Sequence, residues 1–319
     1  MTYVIIHALA PIFVIMLLGF WAGKTKKVDN QNVSLLNVFV MDFALPAALF
    51  SATVQTPWVG IIAQSPLLLI LTLSMWITYA AVYFLSVKVF KKSPQDAAVL
   101  TLTVALPNYA ALGLPILGSV LGEGPSTSLS VAVSIACGSV LLTPFCLLIL
   151  EREKARAAGE NQGSTLSMLP VLMWRSLKNP IVWGPLLGVI LSAIGIKMPD
   201  LVLYALKPLG LAATAAALFL TGVILSARKL KINAVVILAT LTKLLIQPAI
   251  AWVLVVIFGI QGPVAVTGVL MIALAAGFFG VVFGNRFGVQ SPDAEAVLLF
   301  SSILSILSLP LFISLTSGM

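Results

Sequence analysis

Ala105-Leu106-Pro107-Asn108-Tyr109-Ala110-Ala111-Leu112-Gly113-Leu114-Pro115 lies inside an apolar stretch, residues 96–121, that is long enough to cross a bilayer. Pro107 and Pro115 each lack a backbone N–H and crowd the preceding turn, so neither fits an unbroken helix. Asn108 offers an amide to the backbone groups set free, and Gly113 predicts a tight turn. In lipid, backbone outside a helix must be paired within the protein or line a cavity. The alternative is a kinked helix whose Asn satisfies its own kink. Two prolines, an Asn and a Gly within nine residues favour a discontinuous transmembrane helix.

The rest of the chain supplies the setting. Of 319 residues, 60% are hydrophobic and 9% charged, against about 25% charged in a soluble domain. Apolar surface on this scale needs lipid as its solvent, which predicts an all-α integral membrane protein. Ten apolar stretches read as spans near 3–22, 33–54, 66–90, 96–121, 126–150, 180–196, 200–226, 233–258, 263–288 and 291–316. The N-terminal stretch lacks a basic leader and a small-residue cleavage pattern, and reads as a retained first helix. Cys137 and Cys146 share one span at a separation of roughly 13 Å, and read as small core residues.

The basic residues give orientation. Fifteen of eighteen Lys and Arg fall in odd-numbered connections: Lys24, Lys26 and Lys27; Lys88, Lys91 and Lys92; Arg152, Lys154, Arg156, Arg175 and Lys178; Arg228, Lys229 and Lys231; and Arg286. Even-numbered connections hold only Lys197. The positive-inside rule therefore makes the odd connections cytoplasmic and puts both termini outside. The basic residues never gather into an aromatic-interleaved patch, so the pI near 9.6 does not point to nucleic acid.

The sequence also repeats itself. Pro11-Ile12 with Leu17-Leu18-Gly19 recurs as Pro180-Ile181 with Leu186-Leu187-Gly188, shifted by 169. Ala47-Ala48-Leu49-Phe50 recurs as Ala216-Ala217-Leu218-Phe219 at the same shift, and Ala105-Leu106 matches Ala273-Leu274 at 168. A repeat of five spans reverses its direction through the membrane, so the expected architecture is two inverted five-helix repeats, the plan of secondary carriers. Residues 1–150 form the first (helices 1–5), 151–179 a cytoplasmic linker, and 180–319 the second (helices 6–10). Such folds place the substrate where one helix of each repeat is broken. The counterpart of span 4 in span 9 reads Ala273-Leu274-Ala275-Ala276-Gly277-Phe278-Phe279-Gly280 and carries no proline. A break there rests on Gly277 and Gly280, although Gly280, Gly284 and Gly288 also fit a helix-packing stripe. Two broken helices would turn positive N-terminal ends to the midplane, a setting for a carboxylate.

Ionisable residues inside spans are costly and point to function. Asp42 and Lys243 lie at similar depths in spans 2 and 8, and either pair as a structural clamp or include a group that titrates during transport. Lys243 is also placed to hold the negative C-terminal ends of the broken helices. Lys207 can snorkel outward. His7, the sole histidine, reads as an interface residue in preference to a proton relay. Gly19 to Thr25 is one residue short of a phosphate-binding loop and ends a span. One His and two buried Cys make no zinc set. No segment could house an ATPase, and no nucleophile–base set appears, so an enzyme is not expected and no cofactor is implied.

Several of these stretches resemble the auxin efflux carrier family. They are Asn37-Val38-Phe39-Val40 with Ala44-Leu45-Pro46-Ala47-Ala48-Leu49-Phe50, Leu106-Pro107-Asn108 through Leu112-Gly113-Leu114-Pro115, Lys243-Leu244-Leu245 before Pro248, and Arg286-Phe287-Gly288-Val289. The resemblance spans essentially the whole chain, and within the family it is most similar to the bacterial malonate permeases. It implies a ten-helix fold like that of the sodium/bile-acid and sodium/proton antiporter carriers, with crossing broken helices 4 and 9. It also implies a scaffold of helices 1, 2, 6 and 7, often dimeric, beside a moving domain of the other six. The expected activity is secondary active transport of small carboxylates, malonate uptake in the first place, coupled to H+ or Na+ by elevator-type alternating access in a bacterial inner membrane. An exporter, a carrier of another organic anion and an anion channel are the alternatives. Pro107, Asn108, Tyr109, Gly113, Gly277 and Gly280 are the candidate substrate-binding residues, and Asp42, Lys243 and Arg286 the candidate coupling or crossover-stabilising ones.

Overall fold

The computed structural model describes residues 2–59, 64–122, 125–159, 174, 178, 180–227 and 232–316. Among these the chain is helical, with no strand beyond one isolated antiparallel bridge, Pro107 to Ala276. The helices are α1 (Thr2–Lys24), α2 (34–54), α3 (Ser65–Val89), α4 (Pro94–Ala105), α5 (Tyr109–Leu121), α6 (125–157), α7 (Pro180–Ala193), α8 (Asp200–Ser226), α9 (Ala234–Ile257), α10 (Pro263–Ala273), α11 (Phe279–Arg286) and α12 (Pro292–Thr316). Among the described residues six stretches are long and apolar enough to cross a membrane: Ser34–Ser51, Ser65–Val89, Leu129–Ala157, Asp200–Ser226, Ala234–Ile257 and Pro292–Thr316. Val14–Lys24, Trp183–Ala193 and Pro263–Ala273 are shorter apolar helices.

Prolines shape the helices in two ways. Pro94, Pro263 and Pro292 sit in first turns, where their missing N–H has no partner to lose. Pro46, Pro144 and Pro248 instead follow π-helical turns at Phe39–Ala44, Gly138–Leu142 and Thr242–Ile246. The residue four before each proline lies in the widened turn, which relieves the clash between the ring and that carbonyl. Asp42 and Lys243 both occupy these turns.

Packing divides the helices into two groups. α1 packs along α8, and α2 along α7 and α8. The close approaches are glycines: a Cβ on Gly19 would strike the Phe219 carbonyl, one on Gly222 the Met16 carbonyl, and one on Gly188 the Thr53 hydroxyl. The other helices surround α4, α10 and α11, which are almost wholly buried. Several buried hydroxyls bond back into their own helices, as Ser74 to Ile70, Thr78 to Ser74 and Ser134 to Ser130, which pairs them without water. Large apolar side chains such as Leu35, Leu201, Leu211 and Leu307 cover the outside, as a lipid-facing surface requires.

α6 runs on through Glu151–Ala157, which the sequence assigns to the linker. Lys154 and Arg156 in its last turn favour the negative helix end and explain the extension. Apart from residues 158, 159, 174 and 178, the rest of that linker lies outside the described residues, as does the side chain of His7.

Candidate functional site at the crossing of two interrupted helices

α4 stops at Ala105 and α5 begins at Tyr109; α10 stops at Ala273 and α11 begins at Phe279. The two linking segments cross, and the N–H of Asn108 donates to the Ala275 carbonyl (3.0 Å) while the N–H of Gly277 donates to the Leu106 carbonyl (2.8 Å). Each chain thus supplies the partner that the other lost when its helix stopped, as buried backbone demands. The Ala276 N–H is taken by the Ser301 hydroxyl at 3.1 Å. Leu106, Asn108, Tyr109, Leu274, Ala275, Ala276 and Phe278 are all buried.

Pro107 accounts for the first break. The second contains no proline, and Leu274 simply turns extended (φ −59°, ψ 154°) where Ser301 and the crossing chain capture the backbone. Gly277 is required there, because a Cβ would lie 2.5 Å from the Leu106 carbonyl oxygen.

The freed C-terminal carbonyls are capped from α9. Lys243, fully buried, donates from Nζ to the Ile272 carbonyl at 3.1 Å and to Gln247 Oε1 at 2.6 Å. Gln247 Nε2 in turn donates to the Ala105 carbonyl at 2.7 Å. One lysine and one glutamine therefore hold the cut ends of both α4 and α10. Gln247 and Ser301 are absent from the sequence-based site, since an amide or hydroxyl inside an apolar helix gives no sign of which distant carbonyl or N–H it meets.

The sequence-based residues divide accordingly. Pro107 and Tyr109 line a small cavity of ≈ 40 Å³ with Leu45, Ala48 and Leu49 of α2, Leu106, Ile135, Ser139 and Phe279. The Tyr109 hydroxyl points to Met75 Sδ at 3.5 Å. Asn108 and Gly277 form the crossing itself. Gly280 packs α11 against Thr103 and Val99 of α4. Gly113 makes no turn: it lies within α5, where a Cβ would meet Val131 and Met271 at 3.0 and 3.2 Å, so its smallness serves helix packing. Gly288 does not belong to the packing stripe either. It has φ +72° and terminates α11, with Val289 N–H closing onto the Gly284 carbonyl at 2.7 Å.

The clamp between Asp42 and Lys243 is replaced by another pair. Arg286 Nη1 meets Asp42 Oδ1 at 2.5 Å, and no ion pair reaches Lys243 among the described residues. The reason is register: Asp42 stands in the π turn of α2, facing the end of α11. A second cluster joins helix starts, with Lys92 Nζ on Asp96 (2.7 Å) and Asp293 (2.5 Å), and Asn233 on Asp293 (2.8 Å). Burial of Lys92 works against its charge, but the bonds to Asp293 and Asp96 outweigh it and hold the ammonium above the ordinary lysine range. Among the described residues no group of three or more His, Cys, Asp or Glu could hold a metal ion.

The sequence profile of the family described as "Membrane transport protein" matches residues 4–313. The chain belongs to this family, that of the auxin efflux carriers. It is therefore a multi-pass membrane transporter and not an enzyme. The "Uncharacterized transporter YfdV" of Escherichia coli K12 is 28% identical over 305 residues, covering 96% of this chain and 95% of its own. The "Putative malonate transporter" of Rhizobium meliloti is 24% identical, covering 93% and 91%. "Auxin efflux carrier component 5" of Arabidopsis thaliana is 19% identical, covering 95% and 94%.

Proposed function

We propose that this transporter is a secondary active carrier of small carboxylates, with malonate as substrate and uptake as its direction, built on two inverted five-helix repeats. The observation that carries the proposal is the reciprocal main-chain exchange at the crossing. Asn108 bonds to residue 275 and residue 277 bonds to Leu106; adding 169 to 106, 107 and 108 gives 275, 276 and 277. The exchange is one interaction made twice, as a two-fold axis between repeats requires. The same shift relates Gly19 against Phe219 to Gly188 against Phe50. The third sequence match, Ala105-Leu106 with Ala273-Leu274, falls at 168, one residue from this shift.

The chemistry follows from the half-helices. α5 and α11 begin at the crossing, and two helix N-termini carry about half a positive charge each, so together they balance one carboxylate. The cavity beside them is bounded by α2 on one side and by Pro107, Tyr109 and Phe279 on the other. A site between the two packing groups suits a movement of one group against the other, with α1, α2, α7 and α8 as scaffold. The name of the Rhizobium meliloti relative supports malonate. That of the Arabidopsis thaliana relative favours a second reading, export of another organic acid.

Asn108 tests the assignment. Its amide donates to a carboxylate, so Asn108→Ala should weaken binding of labelled malonate at least about ten-fold while the protein remains inserted and monodisperse. Competition by a panel of mono- and dicarboxylates ranks the substrate. Undiminished affinity in Asn108→Ala would remove the residue from the site.

A further inference from the structure

Lys243 is among the largest wholly buried side chains of the described residues. Its acceptors are an amide oxygen and a helix-terminal carbonyl, Gln247 Oε1 and Ile272 O, and through Gln247 it is linked to the Ala105 carbonyl. The ends of α4 and α10 therefore converge on one ammonium group. Each helix C-terminus carries about half a negative charge, so the two ends sum to about one charge, which this ammonium neutralises. Uncharged oxygens at the ends of interrupted helices are also the donor set that takes monovalent coupling cations in carriers. Here the chain's own cation occupies that set. Of the described acids around α4, α11 and α12, Asp96 and Asp293 are engaged with Lys92 and Asp42 with Arg286, while Glu295 is buried in the first turn of α12, two residues on from Asp293. Among the described residues no carboxylate pairs with Lys243 to leave room for a second positive charge.

We propose that the Lys243 ammonium is a built-in cation for the two cut helix ends, so that no sodium ion binds there and substrate moves without sodium. The proposal rests on the carrier reading above and narrows its coupling ion. Gln247 is then a positioning residue that brings the second helix end within reach of the charge.

Two measurements on the purified full-length protein test it. Thermal unfolding in sodium chloride against choline chloride needs no substrate, and so stays informative if malonate proves not to be carried. The wild-type midpoint should be the same in both salts, and a sodium-specific rise overturns the proposal. Malonate flux in proteoliposomes should likewise agree within about two-fold between the salts, and loss of flux in choline overturns it. Lys243→Ala removes the charge from the helix ends, uncovers the Ile272 carbonyl and opens space beside it. The folded variant should be inactive in choline, and sodium or methylammonium should raise both its midpoint and its flux. A folded Lys243→Ala that carries malonate normally in choline overturns the proposal, as does one that no cation restores. Where this variant does not fold, the wild-type comparison decides alone.

Discussion

A methyl group on Gly277 would stand 2.5 Å from the Leu106 carbonyl oxygen, whereas one on Gly288 would meet nothing within 4 Å. The two glycines thus make opposite predictions. Gly277→Ala must push apart the crossing chains, costing about 1–3 kcal/mol and abolishing transport. Gly288→Ala strains only a left-handed turn at the end of α11, costing about 1 kcal/mol, with transport retained. Unfolding midpoints and malonate flux of the two variants check this, and equal transport in both would contradict it. Legibility differs among single residues for a related reason. Pro107 announces its break, because its ring disrupts any helix. Gly277 announces only smallness, which a turn, a packed helix and a crossing chain all use. Gln247 and Ser301 announce nothing, since their partners lie 142 and 25 residues away in sequence.

At the scale of elements, the prolines show how a helix keeps its course around a missing N–H. Three of them follow π turns, and one of those turns presents Asp42 to Arg286. The periodicity of an apolar span cannot reveal a π turn, which is why Asp42 and Lys243 at similar depths read as partners. The Asp42–Arg286 pair joins α2 to α11, one helix from each packing group, and the side chains are 27% (Asp42) and 30% (Arg286) exposed. A pair this open contributes at most about 1 kcal/mol. That is small for the fold, yet it shifts a two-state balance about five-fold. Asp42→Asn should therefore leave the unfolding midpoint nearly unchanged and alter the exchange rate several-fold. Cysteines at both positions, once cross-linked, should halt transport until reduced. Normal flux through the cross-linked protein would show that α2 and α11 do not move apart.

At the scale of the whole molecule, membrane residence is legible in composition alone, because 9% charge leaves too little polar surface for water. For orientation the basic residues supply an expectation, through a rule about loops. Gln31 and Gln261 are exposed and lie in connections of opposite parity. Cysteine at Gln31 should be labelled only from the cytoplasmic side, and cysteine at Gln261 only from outside; labelling of both from one side would contradict the inverted arrangement. What the sequence does not reveal is how the halves meet, since a main-chain exchange leaves no side-chain signature. That meeting is the basis of the proposed carrier, and counterflow tests it most directly. Proteoliposomes preloaded with unlabelled malonate should take up labelled malonate against its gradient in a transient overshoot, absent in Gly277→Ala. Flux that never saturates, with no overshoot in the wild-type protein, would mean a channel and contradict the account.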